Sequence, residues 1–158
     1  MGKTKPFLYG VILEQDHLTE RSETTMLYHY TIPLPPKTKK NSQRILRSKK
    51  GIPFIVPSEA FTDYQEEAGY FLKPLPATPI NVPVQVKCLF YLPKNLRADL
   101  VNYQEAICDI LVYYGIVADD RWQIISSMDG SRCLVDRENP RTEIWISEMD
   151  MAQEEQSK

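Results

Sequence analysis

The sequence is short of the residues that build zinc centres and disulfide frameworks, with three cysteines and two histidines in 158 residues. Cys88, Cys108 and Cys133 contain no C-x-x-C spacing, and an odd number cannot all pair. The pattern fits buried free thiols in a reducing compartment. His17 and His29 are too few for a histidine-rich metal site. No apolar run approaches the roughly 20 residues that cross a bilayer, and the N-terminus has no lysine-led apolar segment ending in small residues, so neither a membrane partner nor a secretory signal is expected. The phosphate-cradling glycine patterns G-x-x-x-x-G-K-[ST] and G-x-G-x-x-G are missing, which argues against a nucleotide cofactor. Ser126, Ser127 and Cys108 have no histidine near them in sequence, so no nucleophilic triad is indicated.

What is present is an ordinary globular composition, 42% hydrophobic and 25% charged, at a length that fits one domain. The net charge of −2 conceals an asymmetry. From Lys37 to Lys50 the chain reads KTKKNSQRILRSKK, with Lys37, Lys39, Lys40, Arg44, Arg47, Lys49 and Lys50 and no acid. Taking that +7 from the net −2 leaves the remainder at −9. A basic loop on an acidic body is the form a local phosphate-binding surface takes, although a solvated loop would look the same.

Hydrophobic periodicity supplies the elements. Met26–Ile32 (MLYHYTI) predicts a strand that stops at Pro33, Pro35 and Pro36. Ile52–Val56 suggests a short strand. Ser58 fits an N-cap for a helix with apolar positions Phe61, Tyr64, Ala68, Phe71 and Leu72, halted by Pro74 and Pro76. Val84, Val86, Cys88 and Phe90 alternate with other residues over a strand that runs to Leu92. A second helix follows from about Leu100 to Tyr114, striped by Leu100, Tyr103, Ile107, Ile110, Leu111 and Tyr114 and capped by Gly115. Trp122–Ser127 reads as a strand, Asp129-Gly130 as a turn, and Arg141–Ser147 as the last strand. Trp122 and Trp145 read as core or interface residues, and His29 as a strand residue without catalytic work. The sum is a single α+β domain with a mixed sheet of about four strands and two main helices on one side. Residues 1–25 form an N-terminal extension with no assigned role, 26–149 the domain, and 150–158 an acidic, flexible tail.

The acids sit where elements end. Asp99 lies where a strand hands over to a helix, and Asp119-Asp120 lie beyond that helix. Mg²⁺ takes hard oxygen ligands and keeps several waters, so one or two carboxylates per ion suffice. The bland alternatives are an N-cap for Asp99 and a solvated loop for the pair.

The words around these acids carry more. Arg97-Ala98-Asp99-Leu100-Val101-Asn102, the helix through Asp109-Ile110-Leu111, Gly115 and the pair Asp119-Asp120 together resemble the R-x-D-x-D-N … D-x-L … G … D-D signature of RusA-like Holliday junction resolvases. Tyr30–Pro36, the basic loop and Thr142–Met149 match the family's opening strand, DNA-contacting loop and last strand in the same order, over roughly residues 26–149. The resemblance implies a homodimer that binds four-way DNA junctions and nicks two opposing strands with Mg²⁺ or Mn²⁺. Such proteins are often encoded by phages or prophages, and the implied location is the cytoplasm of a bacterial or phage-infected cell. Carried over by position, Asp99 and Asp120 become the metal-binding, catalytic acids and Asp119 their supporting neighbour. Lys37, Lys39, Lys40, Asn41, Arg44, Arg97 and Asn102 become DNA contacts.

Two positions depart from the pattern. The second motif aspartate is Val101, which cannot ligate a metal, and a customary lysine is Glu105. Positions 101 and 105 share a helix face one turn apart. A helical side chain leans toward its N-terminus, so Glu105 is expected to reach the space beside Val101 and restore a third carboxylate to the catalytic site. Asp109, on the same face, reads as a structural or surface residue. The alternative function is a protein of the same fold that binds branched DNA without cutting it.

Overall fold

The computed structural model describes residues 25–39 and 44–149. Residues 1–24 of the expected extension 1–25, Lys40, Asn41 and the acidic tail lie outside the described residues. Nine elements follow one another: β1 (Met26–Ile32), β2 (Arg44–Arg47), β3 (Pro53–Val56), α1 (Glu59–Ala68), β4 (Val84–Leu92), α2 (Leu100–Tyr113), β5 (Ile125–Ser127), β6 (Arg132–Val135) and β7 (Arg141–Glu148). The fold is α+β, with a mixed sheet and two helices in one domain.

The sheet runs β1-β7-β4, all antiparallel, and the far edge of β4 is tiled by two short parallel strands. β5 pairs at the start of β4 through Val84 and Gln85, and β6 pairs at its end through Leu89 to Leu92. The sheet therefore has five strands where about four were expected. β6 escaped the sequence reading because four residues of RCLV are too few to display a period.

Alternation decides which face is covered. Val84, Val86, Cys88 and Phe90 of β4, Ile144 and Ile146 of β7, and Tyr30 and Ile32 of β1 are all buried. They meet Phe61, Tyr64 and Ala68 of α1 and Tyr103, Ile107, Ile110 and Leu111 of α2 in one core. The buried polar residue of β7 on that face, Thr142, bonds the Tyr64 hydroxyl at 3.3 Å. Burial pushes the Tyr64 phenol well above its ordinary value, although the Thr142 bond works the other way. On the opposite face His29 stacks on Trp145 at 4.7 Å, and Lys87 lies over the same indole.

Ser58 caps α1 as expected, its hydroxyl oxygen accepting from Phe61 N–H at 3.1 Å. The helix stops at Ala68, well before the prolines. Gly69 follows as its C-cap, and only glycine fits there, because a Cβ would collide with the Tyr114 ring. That ring cannot swing aside freely, because its hydroxyl donates to Gln65 O at 2.8 Å. α2 ends as expected at Gly115, whose φ of +67° is the left-handed conformation that closes a helix at little cost in glycine. For Trp122, read as a core or interface residue, the structure excludes the core: the residue lies in the turn before β5 and is 72% exposed.

The cysteine expectation divides. Cys88 and Cys108 are buried free thiols, whereas Cys133 is only partly buried. Burial raises the Cys88 thiol well above its ordinary value and pushes Cys108 up to about 12. The thiolate is the reactive form. Brief alkylation of the native protein at pH 8 is therefore expected to label Cys133 first, with Cys88 and Cys108 reacting only after denaturation. Equal labelling of all three by mass spectrometry would contradict this packing.

Candidate active site

α2 leaves the end of β4 and carries the chain back toward the start of that strand, where Val84 N–H meets Ile124 O. Asp99 stands at the N-cap position in extended backbone, but its side chain makes no capping hydrogen bond. Its carbonyl accepts from Asn102 N–H instead, at 3.1 Å. The exposed carboxylate is thus not occupied in holding the helix, which removes the N-cap alternative for it. Two residues on, Val101 is 64% exposed. An apolar side chain in water at the place where the motif has an acid gains nothing from burial. Glu105, one turn later, is also exposed.

Asp120 lies exposed beyond the far end of the helix, where the chain folds back along it. It opens on a shallow cavity of about 280 Å³ shared with Lys39, Gln65, Asp109, Val112 and Tyr113. Lys39, from the basic segment, forms an ion pair with Asp109 and lies 5.6 Å from the Phe61 ring centre. One lysine therefore ties the basic segment to both helices. Burial is the main cause of the raised Cys108 thiol, and Asp120, Asp109 and Glu105 add to it in that order. Asp109 and Asp120 line one cavity, and Glu105 stands one turn before Asp109 on α2. Asp119 turns away to its own loop, where its carboxylate accepts from Arg121 N–H at 3.4 Å and lies 3.8 Å from the guanidinium.

The structure brings Asp120, Asp109 and Lys39 together, with Glu105 a turn away on the helix. Asp99 stands apart at the helix start, about 13 Å along the axis from Cys108. Among the described residues no three histidine, cysteine or acidic side chains form a group that could hold a metal ion. A cage of three carboxylates is therefore not assembled in this conformation. The smaller requirement of Mg²⁺, one or two carboxylates and several waters, is compatible with Asp99 or with the acids at the Asp120 cavity.

The expected DNA contacts are spread around this helix pair. Lys37 is exposed and lines a cavity of about 260 Å³ against α1. Arg44 is exposed on β2 and lies 3.6 Å from Glu59. Arg97 is exposed in the loop before Asp99, and Asn102 is half-buried in the first turn of α2. Asp109, read as a structural or surface residue, makes an ion pair with Lys39. It lies on the helix face shared by positions 101 and 105, four residues apart each time.

The sequence model of the endodeoxyribonuclease RusA family matches residues 33–147. The chain belongs to the RusA family. It is accordingly related to Holliday junction endonucleases, nucleases of DNA recombination that act on branched DNA. The matched span starts at the proline step after β1 and ends inside β7, so both helices, the acids and the basic segment of this RusA-family domain fall within it. No curated protein matches the chain. No helix among the described residues is long and apolar enough to cross a membrane.

Proposed function

We propose that the chain is a dimeric, Mg²⁺- or Mn²⁺-dependent endonuclease that resolves four-way DNA junctions, with Asp99, Asp120 and Glu105 as its metal-binding acids. The observation that carries this reading is the cavity that Asp120 shares with the Lys39–Asp109 ion pair on one helix pair of a RusA-family domain, with Glu105 one turn before Asp109 and Asp99 at the start of the same helix. A bound divalent ion would activate water and stabilise charge on the phosphate under attack. The chain's own residues do the rest. Lys37, Lys39, Lys40, Asn41, Arg44, Arg97 and Asn102 hold the sugar–phosphate backbone. Asp119 steadies the loop that presents Asp120. Two copies would present two such sites to opposing strands. The biological setting this implies is DNA recombination and repair in the cytoplasm of a bacterial or phage-infected cell.

The deciding experiment incubates the protein with an end-labelled synthetic four-way junction, with and without Mg²⁺ or Mn²⁺. Paired symmetrical nicks that need the ion are expected. Glu105→Gln is expected to slow nicking about tenfold to a hundredfold and to raise the Mg²⁺ concentration for half-maximal rate. Full metal-dependent cleavage by that variant would remove Glu105 from the site.

The second reading, a non-cutting binder of branched DNA, is favoured by two observations: Val101 is exposed where an acid belongs, and no three acids are assembled among the described residues. Junction binding without nicking under either ion would select it. Both readings require phosphate contacts. Junction affinity should fall with salt at a log–log slope between about −4 and −6, since each neutralised phosphate contributes about −0.9. A slope near zero would point to a protein partner instead.

A further inference from the structure

β2 and β3 form a two-stranded antiparallel arm separate from the main sheet, in the register Arg44↔Val56, Ile45↔Ile55, Leu46↔Phe54 and Arg47↔Pro53. Its turn is ordered by Gly51 N–H to Ser48 O at 2.8 Å and Ser48 N–H to Ile52 O at 2.9 Å. Successive strand residues point to opposite faces, so one face carries Ile45 and Ile55 beside Arg47, and the other carries Leu46 and Phe54 beside Arg44. Ile45 and Ile55 are 71% and 65% exposed, and Leu46, Phe54 and Ile52 also stand in water. Lys49 and Lys50 occupy the turn, and no acid lies between Lys37 and Ser58.

An arm that is apolar on both faces differs from an ordinary docking patch. A flat protein surface would cover one face and leave the other wet. The occupant must lie on both sides of the arm, offer apolar planes, and bear negative charge at its margins to answer four cations. DNA opened at a branch point has all three properties, because exposed base-pair faces are apolar and phosphates flank them. Stacked duplex lacks the first, since its base faces are already buried against each other. Apolar side chains that enter a base step must first unstack it, and that cost is least where stacking is already broken.

We infer that the β2–β3 arm enters the exchange point of the DNA junction as a two-faced wedge, with Ile45 and Ile55 against one opened base-pair face and Leu46 and Phe54 against the other. Arg44, Arg47, Lys49 and Lys50 hold the flanking phosphates. The arm selects branched over linear DNA. The inference rests on the junction-binding reading and adds to it the residues that recognise the branch. The arm's root is well placed: it follows five residues after Lys39, whose partner Asp109 shares a cavity with Asp120.

The test uses the full chain without divalent ion and a junction carrying 2-aminopurine beside the exchange point. Wild-type protein is expected to raise the fluorescence severalfold as the base unstacks. Ile45→Ser/Phe54→Ser/Ile55→Ser, which keeps every cation, is expected to lose that rise and to bind the junction about tenfold to a hundredfold more weakly. Its affinity for linear duplex should stay within about twofold. Phe54→Ser alone, the milder change, should give a partial loss and remains informative if the triple variant misfolds by circular dichroism. Wild-type binding with no fluorescence rise, or variants that keep both rise and affinity, would overturn the wedge while leaving junction binding in place. Failure of the wild type to bind any DNA would instead overturn the junction reading. A variant that becomes monomeric by sedimentation when the wild type is not would reassign the arm to self-association.

Discussion

Asp120→Asn is expected to abolish junction nicking, by a factor of at least about a thousand, while leaving junction affinity within about threefold. A thousandfold loss corresponds to about 4 kcal/mol of transition-state stabilisation. That magnitude is reasonable for removing an anionic ligand from a site where a divalent ion generates the nucleophile. Asparagine keeps the size of the side chain and removes only the charge, so the loop and its Asp119–Arg121 contact should survive. Asp99→Asn tests the other end of α2 by the same measurement. The two variants need not agree. Equal losses would mean that both acids serve one reaction, despite their separation along the helix. A loss confined to Asp120 would move the reaction to the cavity shared with Asp109 and Lys39. Nicking within tenfold of wild type in both would end the proposal that these acids hold the ion. Gel-shift affinity on the same junction separates a chemical defect from a binding defect.

Phe90→Ala is expected to cost about 3–5 kcal/mol in unfolding free energy. Phe90 is 1% exposed on the central strand β4, opposite Thr142 of β7 on one side and Cys133 of β6 on the other. Its ring lies 5.3 Å from that of Tyr103, tilted, so truncation removes an aromatic pair as well as burial. Domains of this size hold about 5–15 kcal/mol in total. The variant should therefore melt about 10–20 °C lower. Urea unfolding followed by circular dichroism measures it. A loss under 1 kcal/mol would mean that α2 does not seat on β4 as described. Val101→Ala, a change of an exposed side chain on the same helix, is the matched control and should move stability by under about 0.5 kcal/mol.

The long elements were legible because each had room to repeat its pattern. β1 appears where its aromatic and β-branched residues put it, and β4 and α2 where alternation and the helical stripe put them, although buried Leu89 breaks the alternation of β4. β2 was illegible for a physical reason. Its four residues, Arg-Ile-Leu-Arg, put an apolar side chain on each face, so no alternation exists to be read, and the cations around it look like loop. Trp122 misled because an aromatic next to isoleucines usually signals a strand, whereas here it stands in the preceding turn. At the site, the resemblance to the RusA motif brought Asp99 and Asp120 to notice, and helical spacing from Val101 added Glu105. What spacing could not supply was the direction of the chain after Gly115. That path decides that Asp120 lies along the second half of α2, near Asp109, and not at the helix start. Lys39 was singled out as a cation, but its partner on α2 depended on the same unseen path.

The contact between Gly69 and the Tyr114 ring has an evolutionary reading. Position 69 and position 114 make one joint decision, because a side chain can appear at the first only if the ring at the second shrinks. Two steps taken separately each pass through a poorer protein, one with a clash and one with a void and an unanswered Gln65 carbonyl. Relatives that abandon this arrangement should therefore have exchanged both residues together, leaving a covarying pair between the ends of the two helices.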